Sequence, residues 1–76
     1  MSFIERMNIE HNELNDRIIK LTQFIHSEKF KDMNDENRDL LIAQLHAMIV
    51  YHSILTRRIK INIQKGVTDE RYSQIN

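Results

Sequence analysis

Four histidines, a pair of glutamates and a set of arginines and lysines are the side chains whose types and spacing bear on chemistry. His46 and His52 stand six apart, which on one helix turns them in different directions, unlike the i, i+4 pair that clasps zinc. His11 and His52 both fall on apolar seams, where two imidazoles can meet across a hairpin or a symmetry axis as a hydrogen-bonded polar layer that fixes register. With no Cys and no carboxylate at ligand spacing, no metal site is expected. Glu10 and Glu13 share one exposed helical face, and Glu13 to Arg17 is an i, i+4 ion pair worth about 0.3–0.5 kcal/mol. There is no nucleophile elbow, no Gly-rich phosphate loop and no carboxylate pair in an apolar setting, so the chain is not expected to be an enzyme. The basic residues Arg17, Lys20, Arg57, Arg58 and Lys60 remain, each an ordinary surface cation when taken alone. A few such cations can still hold a small anion, and Phe3 and Tyr51 add aromatic faces.

Two helices must position these groups. Ser2 with Glu5 three residues later reads as a capping box at the start of a first helix. Its seam of Ile4, Met7, His11, Leu14, Ile18, Leu21 and Ile25 steps by three and four, while Asn8, Asn12 and Asn15 lower propensity and can admit a bend. The first helix is expected to end near His26. Ser27 to Met33 breaks the register, with Phe30 and Met33 placed to plug one end of a hairpin. Asn34 is the N-cap of a second helix, with Asp35 and Glu36 in its first turn. That helix is expected to reach about Lys65, with Gly66 as a left-handed cap. The domain is thus drawn over residues 1–66, with a polar tail over 67–76. An antiparallel hairpin would bring Arg58 to the end that holds the first half of the first helix, with Arg17 in reach of it.

The second helix carries more apolar surface than one facing helix can cover. One seam follows Leu41, Leu45, Met48, His52, Leu55 and Ile59, and a second stripe repeats every seven residues through Leu40, Ala47, Ile54 and Ile61, flanked by Ile42, Ile49 and Val50. The fold class is all-α, an antiparallel two-helix hairpin assembled into a homo-oligomeric helical bundle. A chain of 76 residues buries only about 60% of its unfolded surface alone, and without Cys it has no disulfide to lean on, so self-association is the expected remedy. In a dimer, one arginine fork per protomer would match a ligand carrying two phosphates.

Composition narrows the class further. Eleven Lys and Arg balance eleven Asp and Glu, so a DNA-coating role through counterion release is not expected. No apolar stretch reads as approaching the roughly 20 residues of a membrane span, and the start lacks a signal peptide's basic and apolar regions. A soluble, cytosolic protein with no membrane partner is expected.

Phe3, Arg6, Met7, Glu10, Glu13, Leu14, Arg17, Ile18, Lys20, Leu21, Phe24, Ile25, Ser27 and Phe30 form one spaced string. Leu40, Leu41, Gln44, Leu45, Ala47, Met48, Tyr51, Ile54, Leu55, Arg58 and Ile59 form another. Together they resemble small phage helical-hairpin proteins that include the anti-CBASS sponges, which bind and sequester cyclic oligonucleotide alarm signals made by bacterial defence cyclases. The resemblance covers residues 3 to 59. It implies a compact homo-oligomer, typically a hexamer, in the host bacterial cytoplasm. Cyclic dinucleotides would be held between protomers and, in some members, cyclic trinucleotides in separate pockets. Carried over residue by residue, the base-stacking aromatic falls on Phe3, which can stack but cannot donate a hydroxyl hydrogen bond. The phosphate-reaching cation of the first helix falls on Arg17, where relatives often have Lys. The arginine near the end of the second helix falls on Arg58 or its neighbour Arg57, and one residue is about 100° around a helix.

The resulting expectation is a phage anti-defence protein that sequesters cyclic dinucleotides such as 3′,3′-cyclic GMP-AMP without cleaving them, so blocking CBASS effector activation. The alternative is a small interaction module that docks a host or phage protein through the second apolar stripe.

Overall fold

The computed structural model describes the backbone of residues 2–68 and the side chains of residues 2–64. Three helices follow one another: α1 over Phe3–Ile25, α2 over Glu28–Lys31 and α3 over Asp35–Thr68. The first and third pack antiparallel, so the hairpin holds, with a single helical turn inside its connection.

Each boundary has a local cause. Ser2 is extended and its hydroxyl accepts from the Glu5 amide at 3.1 Å, satisfying one of the free donors of the first turn of α1. α1 runs without interruption across Asn8, Asn12 and Asn15 to Ile25, with His26 as its C-cap. Ser27 then serves two helices, donating its hydroxyl to the Phe24 carbonyl at 2.6 Å and accepting the Phe30 amide at 3.3 Å as N-cap of α2. Asn34 caps α3 by accepting the Asn37 amide at 2.8 Å.

All seven seam positions of α1 are buried or half-buried, as are the six of α3. Among the described residues the buried apolar side chains are Met7, Leu14, Phe30 and Leu55, and of these Leu55 has no exposure at all. Phe30 fills the connection end as expected and meets Phe24 edge to face, with centroids 6.1 Å apart.

Two expectations need correcting. α3 continues through Gly66 in helical conformation to Thr68, so the glycine is not a left-handed cap, and a helix long enough to propagate accepts one Gly at a cost of about 1 kcal/mol. The rest of the polar tail expected over 67–76 lies outside the described residues. Within Asp35–Gln64, α3 also holds an 18-residue stretch whose mean hydropathy, 1.2, makes the helix long and apolar enough, by length and composition alone, to cross a membrane. Apolar residues occupy the seam and both flanks of this helix, so the average is high although polar residues such as Gln44, His46 and His52 interrupt it.

One register governs the hairpin. Phe3 lies against Arg58, Glu10 against Tyr51 and His11 against His52, so each step up α1 matches a step down α3. α1 therefore begins opposite the neighbourhood of Ile59, and α3 projects beyond that start by about nine residues, or ~14 Å.

Candidate functional site

The end of the hairpin away from the connection has a pocket of about 320 Å³ lined by Phe3, Arg6, Met7 and Glu10 of α1 and Arg58 of α3. The α1 residues follow i, i+3, i+4 and i+7, which gathers them on one stripe of the helix. Met7 is buried and forms the apolar floor, while Phe3 stays 47% exposed at the mouth. The Arg58 guanidinium sits over the Phe3 ring, its carbon 5.9 Å from the centroid, a cation–π contact worth about 0.5–1 kcal/mol at an exposed site. Phe3 thus keeps surface for a further planar group, and Arg58 keeps donors for an anion.

Glu10 enters the pocket with a fixed carboxylate. Tyr51 donates its hydroxyl to Glu10 Oε1 across the hairpin. That bond, followed by desolvation and the negative charge of Glu10, raises the Tyr51 pKa above its ordinary value, with Arg58 opposing the shift. Tyr51 therefore remains a protonated donor at neutral pH. Among the described residues the ion pairs are Lys31–Glu28 and Arg38–Asp35, so neither Arg6 nor Arg58 is neutralised by a carboxylate. The expected Glu13–Arg17 pair does not form.

Below the pocket lies the histidine layer. The rings of His11 and His52 stack with centroids 4.2 Å apart and an interplanar angle of 32°. Thr56 donates its one hydroxyl proton to the His52 carbonyl at 2.9 Å, so His11 Nε2 is the donor in its 2.9 Å bond to Thr56 Oγ1. His52 Nε2 is buried without a hydrogen-bond partner. The two rings meet across the hairpin as the sequence suggests, but by stacking, and the hydrogen bond goes to threonine instead. Among the described residues no group of three or more His, Cys, Asp or Glu side chains could hold a metal.

The four residues singled out from sequence separate into two sets. Phe3 and Arg58 come together in the pocket. Arg57 is exposed on α3, about 100° around the helix from Arg58, and does not line it. Arg17 is exposed on α1 and, by the register, lies opposite the neighbourhood of Leu45, about 20 Å along the hairpin from Arg58. Within one chain Arg17 is thus out of reach of that end, because antiparallel packing moves a partner one residue away for each residue climbed. Arg6 and Glu10 line the pocket although sequence reasoning gave neither a ligand role; their i+3 and i+7 spacing from Phe3 was the available signal.

Residues 1–61 match the model of a family described as Sequestin. The chain belongs to the Sequestin family. Membership supports a sponge-like role broadly, and the residues that carry the resemblance, 3 to 59, lie inside the matched region. The matched region ends at Ile61, so it takes in the whole hairpin and every pocket residue and stops where α3 begins to project past α1. No curated protein and no solved structure matches the chain.

Proposed function

We propose that this chain sequesters intact cyclic dinucleotides, such as 3′,3′-cyclic GMP-AMP, in the cytoplasm of a phage-infected bacterium, and so starves CBASS effectors of their signal. The observation that carries this reading is the placement of an exposed aromatic ring, Phe3, with two guanidinium groups free of carboxylate partners, Arg6 and Arg58, in one pocket of a Sequestin-family protein. A purine stacks on Phe3 because every base has a π-face, a contact worth about 1–3 kcal/mol. The guanidinium groups form charge-assisted, bidentate hydrogen bonds to phosphate oxygens. Arg17 and Arg57 act from a neighbouring protomer, which brings them to the ligand despite their distance within one chain.

The working unit is a homo-oligomer, a hexamer in the form that the resemblance implies. Leu40 is 62% exposed and Val50 60%, and Ile49, Ile54 and Ile61 are exposed along the same helix. Copies of the chain cover this surface and bring two pockets about a two-fold axis to the two halves of one ligand. No chemistry is required of the site: a sponge works by affinity and abundance.

Isothermal titration with 3′,3′-cyclic GMP-AMP, with linear dinucleotide as control, tests the reading. Submicromolar binding near one ligand per two protomers, with intact ligand recovered on denaturation, is the expected result. Hydrolysed product would overturn sequestration in favour of a phosphodiesterase.

The exposed stripe also favours a second reading, in which it docks a different protein. Under that reading Ile54→Asp abolishes partner capture while Arg58→Ala leaves it intact, and nucleotide titration gives no heat.

A further inference from the structure

α3 offers α1 two apolar faces, and the pocket forms on only one of them. The seam that carries His52 packs on α1, while the exposed stripe through Leu40, Ala47, Ile54 and Ile61, with Val50 beside it, lies about 140° around the helix. Tyr51 and Arg58 stand between the two faces. Were α1 seated on the stripe, they would border its opposite side, and Glu10 and Phe3 would lose their partners. Turning α3 through that angle takes only about one and a half residues of chain, so the connection over residues 26–34 decides little between the two seatings. The faces themselves must differ.

Histidine is the difference. His11 is the one polar member of the α1 seam and His52 the one polar member of the α3 seam, whereas the stripe has none. On the seam the two rings stack with centroids 4.2 Å apart, and His11 Nε2 donates to Thr56 Oγ1 at 2.9 Å. On the stripe His11 would face Val50 and Ile54, whose side chains offer no acceptor, and its N–H would be left unpaired. The layer has a cost of its own: His52 Nε2 is buried without a hydrogen-bond partner, an orphan that two leucines would not leave. A polar layer that lowers stability while penalising a wrong arrangement is the way buried polar positions choose partners in helical bundles. We propose that the His11–His52 layer is a face selector, which seats α1 on the seam of α3 and thereby keeps the exposed stripe for a second copy of the chain. The inference rests on the homo-oligomer of the proposed function and is independent of which ligand the pocket takes.

The experiment compares the full chain with His11→Leu, His52→Leu and the double variant by circular dichroism, urea unfolding and analytical ultracentrifugation. The unmodified protein should sediment as one oligomer. Each single variant should unfold at lower urea than the unmodified protein, because one imidazole is left without its partner ring. The double variant should keep its helix content and match or exceed the unmodified midpoint, since an apolar layer packs without an orphan. It should nevertheless spread over several assembly sizes, as α1 takes either face. A double variant that holds the single unmodified size would overturn face selection and leave the oligomer standing. One that fails to fold, or unfolds at lower urea than the unmodified protein, would make the layer an ordinary stabilising contact and overturn the proposal as well. A monomeric unmodified protein would overturn the oligomer of the proposed function, and this inference with it.

Discussion

The two ends of the hairpin are built to opposite specifications. At the connection end, Ser27 satisfies the last turn of α1 and the first of α2, Asn34 caps α3, and Phe24 and Phe30 pack edge to face. At the other end an aromatic ring is half in water, two arginines lack carboxylate partners, and the one carboxylate is held by tyrosine. Apolar closure and satisfied caps stabilise the fold at the first end, whereas unpaired cations and exposed π surface at the second gain little until a ligand arrives. On the proposed reading, stability and binding are thereby separated along a rod whose extents are 54 × 17 × 16 Å.

Mutations at the two ends should separate the same way. Phe30→Ala should have the largest effect, lowering stability by about 3 kcal/mol through the cavity it leaves, with ligand affinity per folded protomer unchanged. Denaturant unfolding paired with titration of the folded fraction checks both halves. Arg58→Ala should do the reverse: a loss of roughly 1.5–3 kcal/mol in ligand affinity, as for a charge-assisted hydrogen bond, against a stability loss no larger than the ~0.5–1 kcal/mol of its cation–π contact with Phe3. A matching loss of stability would break the separation. Asn34→Ala removes a cap and should cost about 1 kcal/mol of stability with no change in nucleotide binding.

The smallest effect concerns Tyr51 and alkaline pH. Its folded pKa is raised above the ordinary tyrosine value, first by the hydrogen bond to Glu10. The folded state therefore keeps this proton where the unfolded chain gives it up. The contribution is complete below the unfolded pKa and is lost as pH rises through the folded one. Comparing urea midpoints of the unmodified protein and Tyr51→Phe from neutral pH to above 10 should show a slightly steeper alkaline decline in the former. Identical slopes would mean that the Tyr51–Glu10 bond contributes nothing in solution.

Much of the pocket was within reach of pattern reasoning, yet its composition was not obtained that way. Phe3 and Arg58 emerged from resemblance, while Arg6 and Glu10 lay in the same string without a role. Glu10 looked like half of a solvated pair with Glu13 because spacing alone shows which residues share a face, and it does not show that Tyr51 reaches across to hold one of them. Arg17 illustrates the converse. Its type and helix were clear, but its height relative to Arg58 depends on how the chain turns between Ile25 and Asp35.

By itself, then, the order of residues determined both long helices, their seams, the caps at Ser2 and Asn34 and the plug at Phe30, because these depend on a 3.6-residue period and on hydrogen bonds three residues apart. Tertiary structure decided the register that sets Phe3 under Arg58, Glu10 beside Tyr51 and His11 on His52, and with it the pocket. It also left Arg17 at another level of the hairpin. The physical reason is range: a helix and its cap are fixed by neighbours within one turn, whereas the alignment of two helices is a sum of many weak contacts between residues forty or more positions apart, visible only once the chain has closed on itself.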